Sequence, residues 1–202
     1  MLLLSDGNKV YKKPDAADLA LYAQAVADWE AARRHGVPYP TQEIPPGVNT
    51  DQARGYNYRY WHQMFNARQL LCLSTLLEAI LRQPDRAIRE QLLLLFSGTL
   101  EFNNLFCSFK GEGTGAVRPI FSHHILKPER TPLEANVWGT PKSSGSFSTL
   151  FERRLLAAQE YASDPFELKA VRDNGRTAGQ KIYRLNRPLA VQLADTFDDV
   201  AG

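Results

Sequence analysis

The residues from Lys110 to Phe147 constrain the fold more than any other part of this 202-residue chain, because most of them suit neither a helix nor a strand. They contain five of the 13 glycines and four of the 12 prolines. Ordered loops of this length usually serve a function, and the others are linkers. This one carries too many large apolar side chains for a solvated linker, namely Ile120, Phe121, Ile125, Leu126, Leu133, Val137 and Trp138. We therefore predict a shaped loop that packs on a helical scaffold and presents polar and basic groups to a ligand.

Three stretches before the loop have apolar residues at helical spacing and predict that scaffold. The first runs from Asp15 to His35, where Gly36 ends it, and its apolar face comprises Leu19, Tyr22, Ala23, Val26 and Trp29 or Ala27. The second begins after Asn66, a good N-cap, and carries a wide leucine face. The third follows Asp85, and its run from Leu92 to Phe96 indicates burial. Because only a short turn separates the last two, we predict an αα-hairpin.

The segment between the first two helices is rich in proline and aromatic residues. Residues 37–60 contain four prolines and two glycines, which predicts an extended connector. The end of this segment and the residues after it interleave aromatic and basic side chains, listed as Arg54, Tyr56, Tyr58, Arg59, Tyr60, Trp61, His62 and Phe65. Such a cluster can stack bases and hold phosphates, or it can form the packed entry to a helix. The pattern here favours the packed entry.

The C-terminal part reads as one helix followed by a β-hairpin. Ser146 or Ser148 caps the predicted helix TLFERRLLAAQEYA. Two alternating segments, Phe166–Arg172 and Gln180–Leu185, flank a turn signal and predict a hairpin with a loop of five to seven residues. The predicted fold class is α+β and mainly α, with a helical hairpin scaffold, a long ordered loop and a C-terminal β-hairpin. Residues 1–202 form a single domain or a domain fragment, with a helical part (1–104) and a loop, helix and hairpin part (105–202).

Charge and composition limit which partners the chain can bind and which compartment it occupies. Residues 105–187 carry 13 lysines and arginines against eight acidic residues, whereas the chain before them is balanced. This surplus suits a polyanionic partner, although scattered surface charge would produce it too. The two cysteines, Cys72 and Cys107, lack metal or redox spacing, so we expect buried thiols in the reducing cytoplasm. No apolar run approaches a membrane span, and we expect no membrane partner.

The loop begins with the glycine-rich stretch Gly111-Glu112-Gly113-Thr114-Gly115. Its glycines Gly111, Gly113 and Gly115 suit a backbone that approaches a phosphate or a nucleoside cofactor. Pro119 follows where a helix should begin its second turn, and there is no Walker lysine. Three readings stay open: a cofactor loop, a loop that contacts anions or DNA, and a plain structural turn.

Other polar residues of the loop are candidates for contacts to nucleic acid. Adjacent His123 and His124 point to opposite faces of an extended chain, so they rarely share a metal, and we predict no metal site. They could act as acid and base, or one could pack inward. The cations and hydroxyls of the loop fit phosphate contacts or a solvated surface. The predicted nucleic-acid-binding residues are Lys110, Arg118, His123, His124, Lys127, Arg130, Trp138, Lys142 and Ser144.

Two segments of the chain resemble parts of large bacterial adenine-specific DNA methylases. The first reads W-x-x-x-F-N-x-R-Q-L-L and contains Trp61, Phe65, Asn66, Arg68, Gln69, Leu70 and Leu71. The second is the N-x-W-G…SGSF loop, with Asn136, Trp138, Gly139, Ser144, Gly145, Ser146 and Phe147. The similarity covers roughly residues 55–170.

The resemblance implies a fragment of a restriction-modification type enzyme that methylates adenine N6 in DNA. Such methylases need an F-x-G-x-G cofactor loop and an Asp-Pro-Pro-Tyr catalytic loop, and this chain has neither, since Asp164-Pro165 is followed by Phe166 and Glu167. It therefore implies a non-catalytic segment of a split or truncated enzyme, lying between those two loops and contacting DNA or the catalytic half. S-adenosylmethionine would serve the whole enzyme and would not be bound by this chain alone. Two other functions stay open: a small enzyme that binds a phosphorylated or nucleoside ligand at Gly111–Gly115, and an assembly module that needs a partner chain.

Overall fold

The fold is α+β and mainly helical, as the sequence predicts. The computed structural model describes residues 2–5, 8–109, 117–122, 124–130, 132–139, 145–173 and 176–184. Its principal helices are α1 (Ala16–Arg34), α2 (Asp51–Gly55), α3 (Ala67–Leu81) and α4 (Arg86–Phe102), and the strands β1 (Leu2–Ser5) and β2 (Asn8–Tyr11) form an antiparallel pair before them. Among the described residues, no helix is both long and apolar enough to cross a bilayer.

Helix α1 has the caps that its sequence predicts but less burial. Asp15 and Asp18 exchange side-chain-to-backbone hydrogen bonds of 3.0 and 2.9 Å, forming a capping box, and Gly36 follows the helix with φ of +83°. The predicted apolar face is buried at Trp29, but burial of its other members is wrong, since Leu19 is 63% exposed and Tyr22 and Val26 are exposed too. The physical reason is that α1 packs on α3 at the edge of the helical layer.

Helices α3 and α4 form the predicted αα-hairpin and contact each other. Leu70, Leu73 and Ile80 of α3 are buried, as are Leu95 and Phe96 of α4. Two expectations fail here. Leu94 is 76% exposed, because one face of α4 lies outside the packing, and Cys72 is exposed on α3.

The proline-rich connector packs into a core of its own. It contains α2, and a 3-10 turn (Trp61–Met64) leads into α3. Its apolar side chains join those of the later loop, and the buried members of this core are Ile44, Ala53, Met64, Phe106, Ile120 and Leu126. Tyr58 meets Phe106 edge to face with the ring centroids 4.8 Å apart. The packed reading of the aromatic cluster is therefore confirmed for Tyr58, Trp61 and Phe65, which all contact this core.

The described parts of the long loop pack against residues that precede it in the chain, as predicted. Strand β3 (Ser108–Phe109) pairs with β4 (Val117–Arg118), and Ser108 also forms a bridge with Pro132. A second 3-10 turn (Ile120–Ser122) contacts α4. Leu126 N–H donates to the Asn49 carbonyl at 2.7 Å. Ile120, Leu126 and Val137 are buried, but three of the apolar loop residues are exposed against expectation: Phe121, Ile125 and Trp138. They lie outside the packing because their buried neighbours already fill the core.

The chain divides into two compact units, residues 1–150 and 151–202. The first ends with the short helix α5 (Phe147–Leu150), preceded by the buried Ser146, whose hydroxyl bonds that of Thr149 at 2.9 Å. The second contains a π-helical stretch (Phe151–Leu156), helix α6 (Ala157–Ser163) and a hairpin of β5 (Phe166–Asp173) and β6 (Arg176–Arg184). The predicted hairpin is confirmed, but its loop is shorter than expected, because the pairing of Asp173 with Arg176 leaves only two connecting residues. The predicted continuous α-helix is likewise interrupted by the π-helical residues.

Gly145 should be essential for docking the loop onto α4. Its φ is +72°, and a Cβ there would lie 2.6 Å from Phe102 Cδ1 and closer still to Phe102 Cγ and Cβ. We expect Gly145→Ala to lower the free energy of unfolding by about 1–3 kcal/mol, since it combines a left-handed backbone with a steric clash. Chemical denaturation monitored by circular dichroism measures this.

Gly98→Ala is the matched control. A Cβ at Gly98 would lie 3.7 Å from Leu150 Cδ1, an ordinary contact, and alanine is preferred over glycine inside a helix by up to about 1 kcal/mol. We expect this variant to be as stable as the native protein or more so. Equal destabilisation by the two substitutions would contradict the assigned role of Gly145.

Candidate functional site

The first turn of α3 and the loop residues after Pro132 meet through one carboxylate. Glu134 accepts two hydrogen bonds from Arg68, Nε to Oε1 at 2.7 Å and Nη2 to Oε2 at 2.8 Å. It also accepts one from Asn66 Nδ2 at 2.9 Å. Bidentate guanidinium–carboxylate pairs are stronger and more directional than single contacts. These hydrogen bonds join the start of α3 to the loop segment that follows Pro132.

Asn66 has two roles at this junction. Its Oδ1 accepts from Gln69 N–H at 2.8 Å, and Gln69 Oε1 accepts from Asn66 N–H at 3.0 Å, which closes a capping box. Its Nδ2 is then left to donate to Glu134. Aspartate would cap the helix equally well, but its carboxylate has no donor for Glu134 and would repel it. The amide at position 66 therefore suits the junction and not only the cap.

Helix α1 supports the same junction. The Arg68 guanidinium carbon lies 5.3 Å from the ring centroid of Tyr22, a cation–π contact. The hydrogen bonds that Arg68 donates to Glu134 raise the pKa of Arg68 above its ordinary value. Arg68 is therefore held from two directions, by a carboxylate in its plane and by an aromatic ring.

A cavity of about 280 Å³ opens beside this junction. It is lined by Arg68, Gln69, Cys72, Glu134, Ala135, Asn136 and Val137. Gln69 is 1% exposed, and its Nε2 has no hydrogen-bond partner among the described residues. Cys72 lies at the surface of α3, but the groups packed around its thiol desolvate it and raise its pKa, which lowers the fraction present as the reactive thiolate. The lining is suited to holding a small polar group and not to covalent catalysis.

Backbone hydrogen bonds fix the loop on the other side of the cavity. Phe147 N–H donates to the Val137 carbonyl at 2.8 Å, and the Trp138 carbonyl accepts from both Ser148 N–H (3.0 Å) and Ser148 Oγ (2.6 Å). Asn136 Oδ1 accepts from Gly139 N–H at 2.8 Å. Gly139 has φ of +112°, and a Cβ there would lie 2.6 Å from Ser148 Oγ. The N-x-W-G sequence therefore makes a tight turn that only glycine completes.

The predicted nucleic-acid-binding residues fall into two groups. Those that the structure describes are all exposed: Arg118, His124, Lys127, Arg130 and Trp138. Arg118 and Pro132 both pair with Ser108, so the segments that carry Arg118 and Arg130 flank β3 on its two edges. The other group lies outside the described residues and consists of Lys110, His123, Lys142, Ser144 and the glycines Gly111, Gly113 and Gly115. No observation therefore bears on the glycine-rich loop as a cofactor site.

Sequence reasoning missed Glu134, which organises the junction. Its partners are 66 and 68 residues away along the chain, and no local pattern connects them. The available signal was that an acidic residue lies two positions before Asn136, in a part of the chain where basic residues predominate. Among the described residues, no group of three or more histidines, cysteines or acidic residues is arranged to hold a metal ion.

Comparison of the chain with protein-family models, with curated proteins and with solved structures finds no match.

The Arg68–Glu134 pair should couple α3 to the loop measurably. A double-mutant cycle with Arg68→Ala and Glu134→Ala is expected to give a coupling free energy of about 1 kcal/mol, the upper end for partly exposed pairs, because the contact is bidentate. Urea denaturation of the four proteins measures it.

The Glu78–Arg82 pair on α3 provides the control cycle. It is a more exposed i,i+4 contact of 2.8 Å, for which we expect about 0.3–0.5 kcal/mol. A coupling energy for Arg68–Glu134 no larger than the control value would show that the junction does not hold the loop.

Proposed function

We propose that this chain is a non-catalytic, DNA-engaging segment of an adenine-N6 DNA methyltransferase. The DNA-binding part of the proposal rests on the exposed cations of the described loop. Arg118, Lys127 and Arg130 are exposed and form no ion pair with any described residue. Free cations on an exposed loop are the groups that neutralise phosphates.

The carboxylates of the same region do not cancel these charges. Glu134 is held by Arg68 and Asn66, and Glu129 also has an interaction partner. An engaged carboxylate contributes less repulsion to an approaching phosphate than a free one. The described part of the loop therefore presents a positive surface to a polyanion.

The attachment of the loop to its unit favours binding further. Arg118 lies on a paired strand, and Lys127 follows a residue whose N–H is bonded to the Asn49 carbonyl. Cations on a backbone that is already fixed lose less conformational entropy when a ligand binds. This supports a preformed contact surface for DNA.

The methyltransferase part of the proposal comes from the resemblance of the two joined segments. In this proposal the S-adenosylmethionine site and the Asp-Pro-Pro-Tyr loop belong to a catalytic partner in the cytoplasm, within a restriction-modification system. This chain would position DNA for that partner, and it would transfer no methyl group alone. The contact at Glu134 supports the proposal, because it joins Asn66 and Arg68 of the first segment to a loop residue two positions before the second segment.

Binding to duplex DNA should weaken steeply with salt. For B-DNA the logarithm of the affinity falls with the logarithm of salt concentration, with a slope of about −0.9 per phosphate neutralised. We expect the triple variant Arg118→Ala, Lys127→Ala, Arg130→Ala to bind more weakly and to reduce the steepness of that slope by about three. Fluorescence anisotropy between about 50 and 200 mM salt measures both.

The matched control removes two arginines that are already paired within the helical hairpin. Arg82 bonds Glu78 and Arg86 bonds Glu90, at 2.8 and 2.7 Å. The double variant Arg82→Ala, Arg86→Ala should leave the salt slope unchanged. Salt-independent binding, or no binding to any duplex, would refute the proposed function.

Exposed leucines on the helical layer support a protein partner. Leu19 and Leu21 of α1 and Leu94 of α4 are 63%, 68% and 76% exposed. We expect co-expression with the product of the neighbouring reading frame to increase the soluble yield, and Leu94→Gln to weaken the resulting complex by about tenfold. Pull-down and titration calorimetry measure this. A monomer whose solubility and state are the same with and without that product would exclude this partner.

A further inference from the structure

Trp138 combines large exposure with a fixed backbone. Its side chain is 63% exposed, whereas its carbonyl accepts two hydrogen bonds from Ser148. The flanking residues are equally constrained, because Val137 is buried and Gly139 is held by Asn136. An exposed tryptophan on a mobile turn would need no explanation. One that is presented by a preorganised turn is suited to binding.

One face of the indole is already supported. Trp138 stacks on Phe147 with the ring centroids 6.0 Å apart and an angle of 28° between the planes. Phe147 is itself buried. The phenyl ring packs against part of the indole and supports it, while most of the indole surface stays exposed. The result is a flat aromatic surface on a rigid base.

Asn136, two residues before Trp138, has one side-chain hydrogen-bonding group that is not used within the described residues. Asn136 is exposed, and its side-chain oxygen already accepts from Gly139 N–H at 2.8 Å. Its amide nitrogen has no partner among the described residues and remains a donor. An unused donor in the same turn as an exposed aromatic side chain suits a planar heterocycle whose edge carries ring-nitrogen or carbonyl acceptors.

We propose that Trp138 is a stacking platform for an unpaired nucleobase of DNA. The inference rests on the proposed function, since the cations of the loop would hold the phosphates on either side of that base. A base within a duplex is covered above and below by its neighbours, so it can stack on Trp138 only where the strand is single or locally opened. The segment thereby selects unpaired DNA at this point of its surface.

The experiment compares three probes with the full chain. The probes are a labelled oligothymidylate of about ten nucleotides, an abasic strand of equal length and charge, and a hairpin duplex. We expect the native protein to bind the oligothymidylate more tightly than the abasic strand. Trp138→Ala should lose about tenfold in affinity for the oligothymidylate and nothing for the abasic strand, and Trp138→Phe should retain most of the affinity.

Two further measurements keep the test independent of folding. Binding of oligothymidylate should quench the native tryptophan fluorescence, and Trp138→Phe should abolish this quenching, since Trp29 is buried and Trp61 packs against the core. Tyr56→Ala removes another exposed aromatic side chain, one without a stacked ring beneath it among the described residues, and should leave the affinity for both strands unchanged.

The outcomes separate this inference from the proposed function. If the oligothymidylate and the abasic strand bind equally and Trp138→Ala changes neither, the stacking platform is refuted while DNA engagement stands. If none of the three probes binds, the proposed function fails as well. If Trp138→Ala fails to fold, the quenching lost or retained in Trp138→Phe decides.

Discussion

The carboxylate of Glu134 is the contact on which the arrangement of the loop depends. It receives three hydrogen bonds from the first turn of α3, and these tie an irregular segment to the best-formed part of the scaffold. The cost of ordering a long loop is large, because each fixed residue loses about 1–2 kcal/mol of backbone entropy. Buried anchors such as Val137 and Leu126 offset that cost, and the ion pair gives the docked loop a defined register. A positive surface and an exposed indole can be presented in fixed positions only because these anchors exist.

Different residues of this one loop thus anchor it to the scaffold and face solvent. Alternate parts of it are buried or bonded to the rest of the unit, and the cations and the aromatic side chain between them face outward. The proline-rich connector contributes to the same arrangement, because its side chains complete the core beneath the loop. The connector, whose sequence predicts only an extended spacer, is therefore part of the scaffold. The second unit contains a hairpin that is built by local pairing between strands close in the sequence.

Expectations about local structure were reliable, and expectations about burial were not. Asn66, Asp85 and Asp15 cap helices because the bonds they make reach only three residues along the chain. The exposure of Leu94 and Leu19 could not be anticipated, since it depends on how many neighbours a helix has and not on its own periodicity. The same is true of the site. The exposed cations stay predicted contacts to DNA, and the contact of Glu134 with Arg68 and Asn66 was missed.

The sequence by itself determined the class of fold, the positions of the main helices and the hairpin, and the basic surplus of residues 105–187, because these follow from periodicity, capping and composition. The tertiary structure alone decided which loop residues face outward, why Gly145 cannot carry a side chain against Phe102, and how Arg68 finds a partner 66 residues away. Those features depend on contacts between distant parts of the chain, whose geometry is set by close packing and leaves no local pattern in the sequence.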